Sequence, residues 1–171
     1  NNAGGAPLIS SLDASMNFNN AIIDLNLNSS FAVSYYVAKK MIKKSSGCVI
    51  TNISSVTATR PTPGSAAYGA AKGGLVNLTK TLAIEWAPRI RLNTIITGYI
   101  ETENSLVHYG SKKDMKAVAK TIPMKRMGTP EDIANACIFL SSVNSSWITG
   151  TAIEVHGGGE SPAYLNSAKP K

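Results

Sequence analysis

The first long pattern in the chain is helical. Phe18, Ile22, Leu25, Ser29, Ala32, Tyr36 and Met41 trace one loose face from Met16 to about Lys44, and Ser15 stands ahead of them as an N-cap. Ser45-Ser46-Gly47 stops that helix. Cys48–Ile53 is short and β-branched and predicts a strand, and the polar run Ser54–Pro63, with two prolines, predicts a loop. Ser65–Trp86 predicts a second long helix. It is rich in small residues (Ala66, Ala67, Gly69, Ala70, Ala71, Gly73, Gly74), and glycines there imply close approach of another backbone or a ligand. Ala87-Pro88 ends it, and Ile90–Ile96 predicts the next strand. Glu103–Ile122 is polar and Lys-rich with some helical pattern. Thr129-Pro130-Glu131-Asp132 is a helix start with a cap, a first-turn proline and acids at the positive dipole end, and that helix runs to about Leu140. Thr151–Val155 predicts a last strand, followed by the Gly157-Gly158-Gly159 loop.

Helix and strand alternate throughout, which is the pattern of an α/β fold: a Rossmann-like, doubly wound parallel sheet with helices on both faces. Residues 1–159 are expected to form one domain portion and 160–171 a polar tail that frays. Ligands of such sheets lie outside the carboxyl ends of the strands. The Ser54–Pro63 loop, the Thr97–Thr102 loop and the Gly157 loop are therefore expected on one rim.

Composition narrows the function classes. Hydrophobic residues make up 43% of 171 and charged residues 16%, a globular mix. Lys and Arg number 17 against 10 Asp and Glu. The bases do not interleave with aromatics, so they read as a solvated basic face and not as a nucleic-acid platform. No run of about 18 apolar residues is present, so no membrane span is expected. Cys48 and Cys137 are too few and too distant for a disulfide scaffold or a zinc cluster. They read as buried thiols of a reducing, cytoplasmic compartment.

Tyr68 and Lys72 stand four apart and share one helix face. A phenol with a pKa near 10 is a poor base at neutral pH, and a nearby ammonium favours the phenolate. Working near pH 7–8 needs a fall of about 2–3 in pKa, or ~3–4 kcal/mol. One lysine plus a bound cationic nicotinamide can supply this in a low-dielectric site. Ser55 ends the preceding strand at the rim, where its hydroxyl can hold a substrate oxygen. Ser54 is its rival, and the thirteen-residue spacing to Tyr68 favours Ser55.

These residues have company. Asn-Asn-Ala-Gly opens the chain, Asp24-Leu-Asn26-Leu lies mid-helix, Ile53-Ser-Ser55 ends a strand, and Arg91-Leu-Asn93 and Gly98-Tyr-Ile-Glu-Thr102 bracket the next. In order and spacing the chain resembles the short-chain dehydrogenase/reductase family from its first residue to about Gly159. The resemblance implies an oxidoreductase that interconverts an alcohol and a carbonyl with NAD or NADP. It implies that Tyr68 is the general acid/base, that Lys72 lowers its pKa and holds the nicotinamide ribose, and that Ser55 polarises the carbonyl. Asn26 would hold a water in a proton relay, although a buried amide mending a helix bulge fits the same position. Asn2, Ala3 and Gly4 would lie beside the cofactor ribose and adenosine, and Gly98, Ile100 and Thr102 beside the nicotinamide. The expected partners are a small, apolar alcohol or carbonyl substrate and further copies of the chain in a dimer or tetramer, with no nucleic acid and no membrane. Leu106, Val107, Met115 and Val118 beside Lys112, Lys113 and Lys116 would suit a hydrophobic substrate on an anionic carrier.

Thr97 stands where the family usually has proline, which is expected to loosen the loop. The family's opening strand and Gly-rich turn, which cradle a pyrophosphate, have no counterpart in this sequence. The sheet is therefore expected to be incomplete at its N-terminal side, the sequence being a portion of a longer chain. The alternative is a catalytically inactive fragment or pseudoenzyme that serves as an assembly or binding module. Among other positions, His108 is read as a loop histidine or a substrate contact, His156 as structural or at an interface, Trp147 as core and Trp86 as a subunit contact.

Overall fold

In the computed structural model, residues 1–44 and 47–167 are described. The expected Ser45-Ser46 helix stop and the last four residues of the expected tail lie outside them. Ser15 caps helix α1 (Met16–Ile23) by accepting from the Phe18 N–H at 3.1 Å. The helix runs on through a π-helical segment, Asp24–Asn28, into α2 (Ser29–Lys44). After the loop come β1 (Cys48–Ser55), α3 (Ala66–Trp86) and β2 (Ile90–Thr97). The Lys-rich stretch divides into α4 (Ser105–Tyr109) and α5 (Lys112–Thr121), the second started by a reciprocal Ser111–Asp114 capping box. A Thr129–Asp132 box starts α6 (Pro130–Ser141), and β3 (Ala152–Val155) closes the sheet.

The sheet is parallel, in the order β1-β2-β3. Its register aligns Ser55 with Thr97 and Thr97 with Val155, so three strand ends share one rim. On the far side of β1, Asn1 pairs in strand-like fashion: its nitrogen donates to Thr51 O at 2.9 Å and its carbonyl accepts from the Ile53 N–H at 2.9 Å. Helices α2 and α3 pack on one face and α6 on the other. Ala38, Ile50, Leu82, Ala83, Ile90 and Leu92 form the core where α2 and α3 meet the sheet. This is the doubly wound arrangement expected from the alternation.

Several local expectations change. β1 extends two residues beyond the predicted Ile53, so Ser54 and Ser55 are strand residues and the rim loop starts at Val56. The face of the first long helix is different from the one the apolar spacing gave. Ile22, Asn26, Ser30, Ser34 and Ala38 are buried, whereas Leu25, Ala32 and Tyr36 are exposed. Small and polar residues line the inward face because α3 and the sheet come close, and a larger side chain would hold them apart. Two α3 glycines answer to close approach, one of backbone and one of a side chain: a Cβ on Gly69 would lie 3.1 Å from Thr57 O, and one on Gly74 would lie 3.1 Å from Leu27 Cδ2. Trp147 is 98% exposed and is not core, whereas Trp86 packs half-buried against the core. Cys48 and Cys137 are half-buried, not buried. The expected tail begins attached: Glu160 pairs with Arg60, and the Ser161 N–H donates to Thr121 O.

Candidate active site

Two cavities open at the rim, and Tyr68 and Thr97 belong to the walls of both. The smaller, about 490 Å³, is lined by Asn2, Gly4, Ser54, Lys72, Ile100, Thr102 and the α6 residues Ile133, Ala134 and Cys137. The larger, about 670 Å³, takes in Ser55, Gly98, Tyr99, His108, Tyr109 and Val118. Tyr68 is thus a partition between two spaces.

Lys72 enters the smaller cavity from α3. It is 4% exposed and its Nζ donates to Ile53 O at 3.0 Å. Burial lowers its pKa to about 8. Its ammonium lies 5.7 Å from the centre of the Tyr68 ring. Burial raises the Tyr68 phenol above its ordinary value, and the Ser55 hydroxyl pulls it back in part. The downward pull was expected from Lys72 together with a bound cationic nicotinamide. In the protein alone burial is the larger cause, and the Ser55 hydroxyl is what opposes it.

The rivalry between the serines has a geometric answer. Ser54 is 2% exposed and donates to Lys72 O at 3.0 Å, tying strand to helix. Ser55 points to the larger cavity, where its oxygen accepts from the Thr57 N–H and faces Tyr68. Asn26 sits at the centre of the π segment, where the widened helical turn frees backbone groups. Its carboxamide donates to Ile22 O and Gly5 O, both at 2.9 Å, and accepts from the Gly5 N–H at 2.9 Å. It mends the helix bulge through Ile22 O and pins the Asn2–Gly5 turn through Gly5. A Cβ on Gly4 would meet Asn26 Oδ1 at 2.5 Å and Lys72 Nζ at 3.0 Å, so that turn lies against both side chains. Asn2 and Ala3 are exposed beside it.

The loop after β2, where Thr97 stands, is bonded to β1 and to the turn before α6. The Thr97 hydroxyl donates to Ser54 O at 3.1 Å, and Tyr99 O accepts from the Gly128 N–H at 2.9 Å. A Cβ on Gly98 would lie 2.7 Å from His156 Cβ, so only glycine fits. His156 is in turn paired with Glu154 at 2.9 Å, a structural place. His108 is an exposed α4 residue on the wall of the larger cavity, stacked edge-on against Tyr109. Arg60, Tyr99 and Glu160 also line that cavity and were given no role in the sequence reading. They lie in loops, where periodicity is silent, and 100 residues separate Arg60 from Glu160. Cys137, read there as a buried thiol, lies at the smaller cavity, and α6 carries it there.

The family model described as enoyl-(acyl carrier protein) reductase matches residues 1–160. The chain belongs to the short-chain dehydrogenase/reductase family. Among curated members it is 40% identical over 138 residues to the 3-oxoacyl-(acyl-carrier-protein) reductase FabG of Rickettsia prowazekii, covering 80% of this chain and 56% of that one. It is 38% identical over 137 residues to human dehydrogenase/reductase SDR family member 4, covering 80% and 49%. This family member therefore spans about half the length of those two relatives. Among solved structures it resembles Thermoplasma acidophilum aldohexose dehydrogenase, with a TM-score of 0.86 and 31% identity over 99% of this chain and 67% of that one. It also resembles a 7α-hydroxysteroid dehydrogenase solved with NADH and 7-oxo glycochenodeoxycholic acid, with a TM-score of 0.85 and 32% identity over 95% and 63%. No helix among the described residues is long and apolar enough to cross a membrane.

Proposed function

We propose that this chain carries the catalytic residues of an NAD(P)-dependent oxidoreductase that interconverts an alcohol and a carbonyl. The observation behind this reading is the position of Tyr68, whose side chain borders both cavities at once. A substrate oxygen in the larger and a dihydropyridine ring in the smaller would meet across it.

The smaller cavity suits a nicotinamide riboside. Lys72 Nζ spends one donor on Ile53 O and has two more to give to ribose hydroxyls. Gly4 lets the turn lie directly against Asn26 and Lys72, and the Thr97–Thr102 loop brings Ile100 and Thr102 to the same wall. When bound, that group supplies the hydride acceptor or donor and, oxidised, a positive charge that favours the phenolate. The remaining work falls to the chain. Tyr68, a neutral phenol in the protein alone, gives its proton to the carbonyl oxygen during reduction and takes it back during oxidation. Ser55 donates to the same oxygen and fixes its place against the phenol. Lys72 holds the ribose and carries the proton onward, and Asn26 fixes the turn beside it and extends the relay. Pairing of the exposed apolar α2 face, with Val33, Tyr36 and Val37, between copies would make the protein a homo-oligomer.

Tyr68→Phe tests this reading in the complete natural chain. Turnover of a ketone with NADH or NADPH is expected to fall about a thousandfold. Cofactor affinity and thermal midpoint should stay near their starting values. Unchanged turnover would remove Tyr68 from the chemistry.

A further inference from the structure

Arg60 follows the 3₁₀ turn after β1, and its guanidinium has two differently occupied edges. Nη1 donates to Pro61 O at 3.3 Å and to Thr62 Oγ1 at 3.2 Å, which fastens that edge to its own turn. Nη2 donates to Tyr99 Oη at 2.9 Å and to Glu160 Oε1 at 3.1 Å. The Tyr99 hydroxyl also bonds the same Glu160 oxygen. All four side chains line the cavity that holds Ser55 and Tyr68. Among the described residues on that wall, Arg60 and Glu160 are the only arginine, lysine, aspartate or glutamate.

We propose that Arg60 is the anion-binding residue of the substrate cavity and selects substrates bearing a carboxylate, with Glu160 occupying the place in their absence. This rests on the reading of the larger cavity as the substrate side. A guanidinium edge and a phenol hydroxyl that converge on one carboxylate oxygen already form a carboxylate site, and the occupant is exchangeable. The Arg60 and Glu160 side chains are 32% and 33% exposed. A pair that exposed is favoured over its open form only by a factor of about five. The Glu160 backbone is placed independently of the pair, by three consecutive left-handed glycines, Gly157 (φ 67°), Gly158 (φ 93°) and Gly159 (φ 75°), and by the Ser161–Thr121 bond. Its side chain can therefore swing into solvent while the chain path stays. An incoming carboxylate keeps the charge balance and both hydrogen bonds.

The test is calorimetric binding of oxo-octanoic acids that differ in ketone position, each against its uncharged methyl ester, to the complete chain. At the best ketone position the acid is expected to bind about tenfold tighter than its ester. Arg60→Met should abolish that preference. Glu160→Gln should strengthen the acid by about fivefold and leave the ester unchanged, because a competing charge is gone. Equal affinity of acid and ester at every position in the unaltered protein, or weaker acid binding in Glu160→Gln, overturns the proposal. Should Arg60→Met not fold, the Glu160→Gln result decides alone. Turnover of an uncharged ketone is read in parallel. Its absence alongside a clear acid preference would sink the oxidoreductase reading and leave the subsite standing, and the reverse pattern would sink only the subsite.

Discussion

On the smaller-cavity side of Tyr68, Lys72 is 4% exposed, Asn26 is fully buried, and both bond to main-chain carbonyls. On the larger-cavity side, Arg60, Glu160 and His108 reach solvent, and the bonds that matter join side chain to side chain. Main-chain partners cannot leave without unfolding the elements that carry them, whereas side-chain partners can be exchanged for the cost of a rotamer. The difference matches the proposed division of labour. A cofactor and a proton path need one fixed geometry, and a substrate space needs walls that can change.

The largest break in this contrast is expected from Asn26→Leu. It removes three bonds of a fully buried amide and leaves the Gly5 N–H, the Gly5 carbonyl and the Ile22 carbonyl without that partner. A loss of about 3 kcal/mol should appear in urea unfolding, and a loss below about 1 kcal/mol would show the turn to be held by other means. Next comes a pH effect. Lys72 titrates at about 8 in the folded chain and near the ordinary 10.4 once unfolded. Between those values the unfolded chain binds a proton that the folded chain does not, so this residue makes stability rise with pH through that window. Below pH 8 both states are protonated and the full penalty of the buried charge remains. The rise amounts to at most about 3 kcal/mol, and Lys72→Met should flatten it. An identical pH slope in the variant would mean that the ammonium is not desolvated. The smallest effect is expected on the other wall. Tyr99→Phe removes the hydroxyl between Arg60 and Glu160, both part-exposed, and should cost less than about 1 kcal/mol in the same unfolding experiment. A larger cost would make the two walls alike.

How much of this was legible in the sequence follows the same division. The strand-helix alternation gave the sheet and its rim, because β-branched runs and capping signals such as Thr129-Pro130-Glu131-Asp132 are local. The Tyr68–Lys72 pair was legible because one helix carries both residues, and Asn26 through its place in the family's motif order. The inward face of the first long helix was not, since Ser30 and Ser34 are buried by close packing and not by hydrophobicity. Trp147 was misread for the converse reason: a large apolar ring at a turn can stand in solvent. The fall in the Tyr68 pKa was expected from Lys72 and a bound cationic nicotinamide together, and the burial that raises it in the protein alone is a tertiary quantity. Arg60 and Glu160 carry no periodic signal, and only folding brings them together.

The burial of Lys72 also gives this residue a chemical signature. At pH 8 about half of its side chain is free amine, whereas an ammonium with the ordinary pKa near 10.4 is less than about one per cent free. A slim acylating reagent admitted through the smaller cavity would therefore find a lysine with a large share of free amine on its wall, and the rate of labelling there would report directly on whatever fills that space.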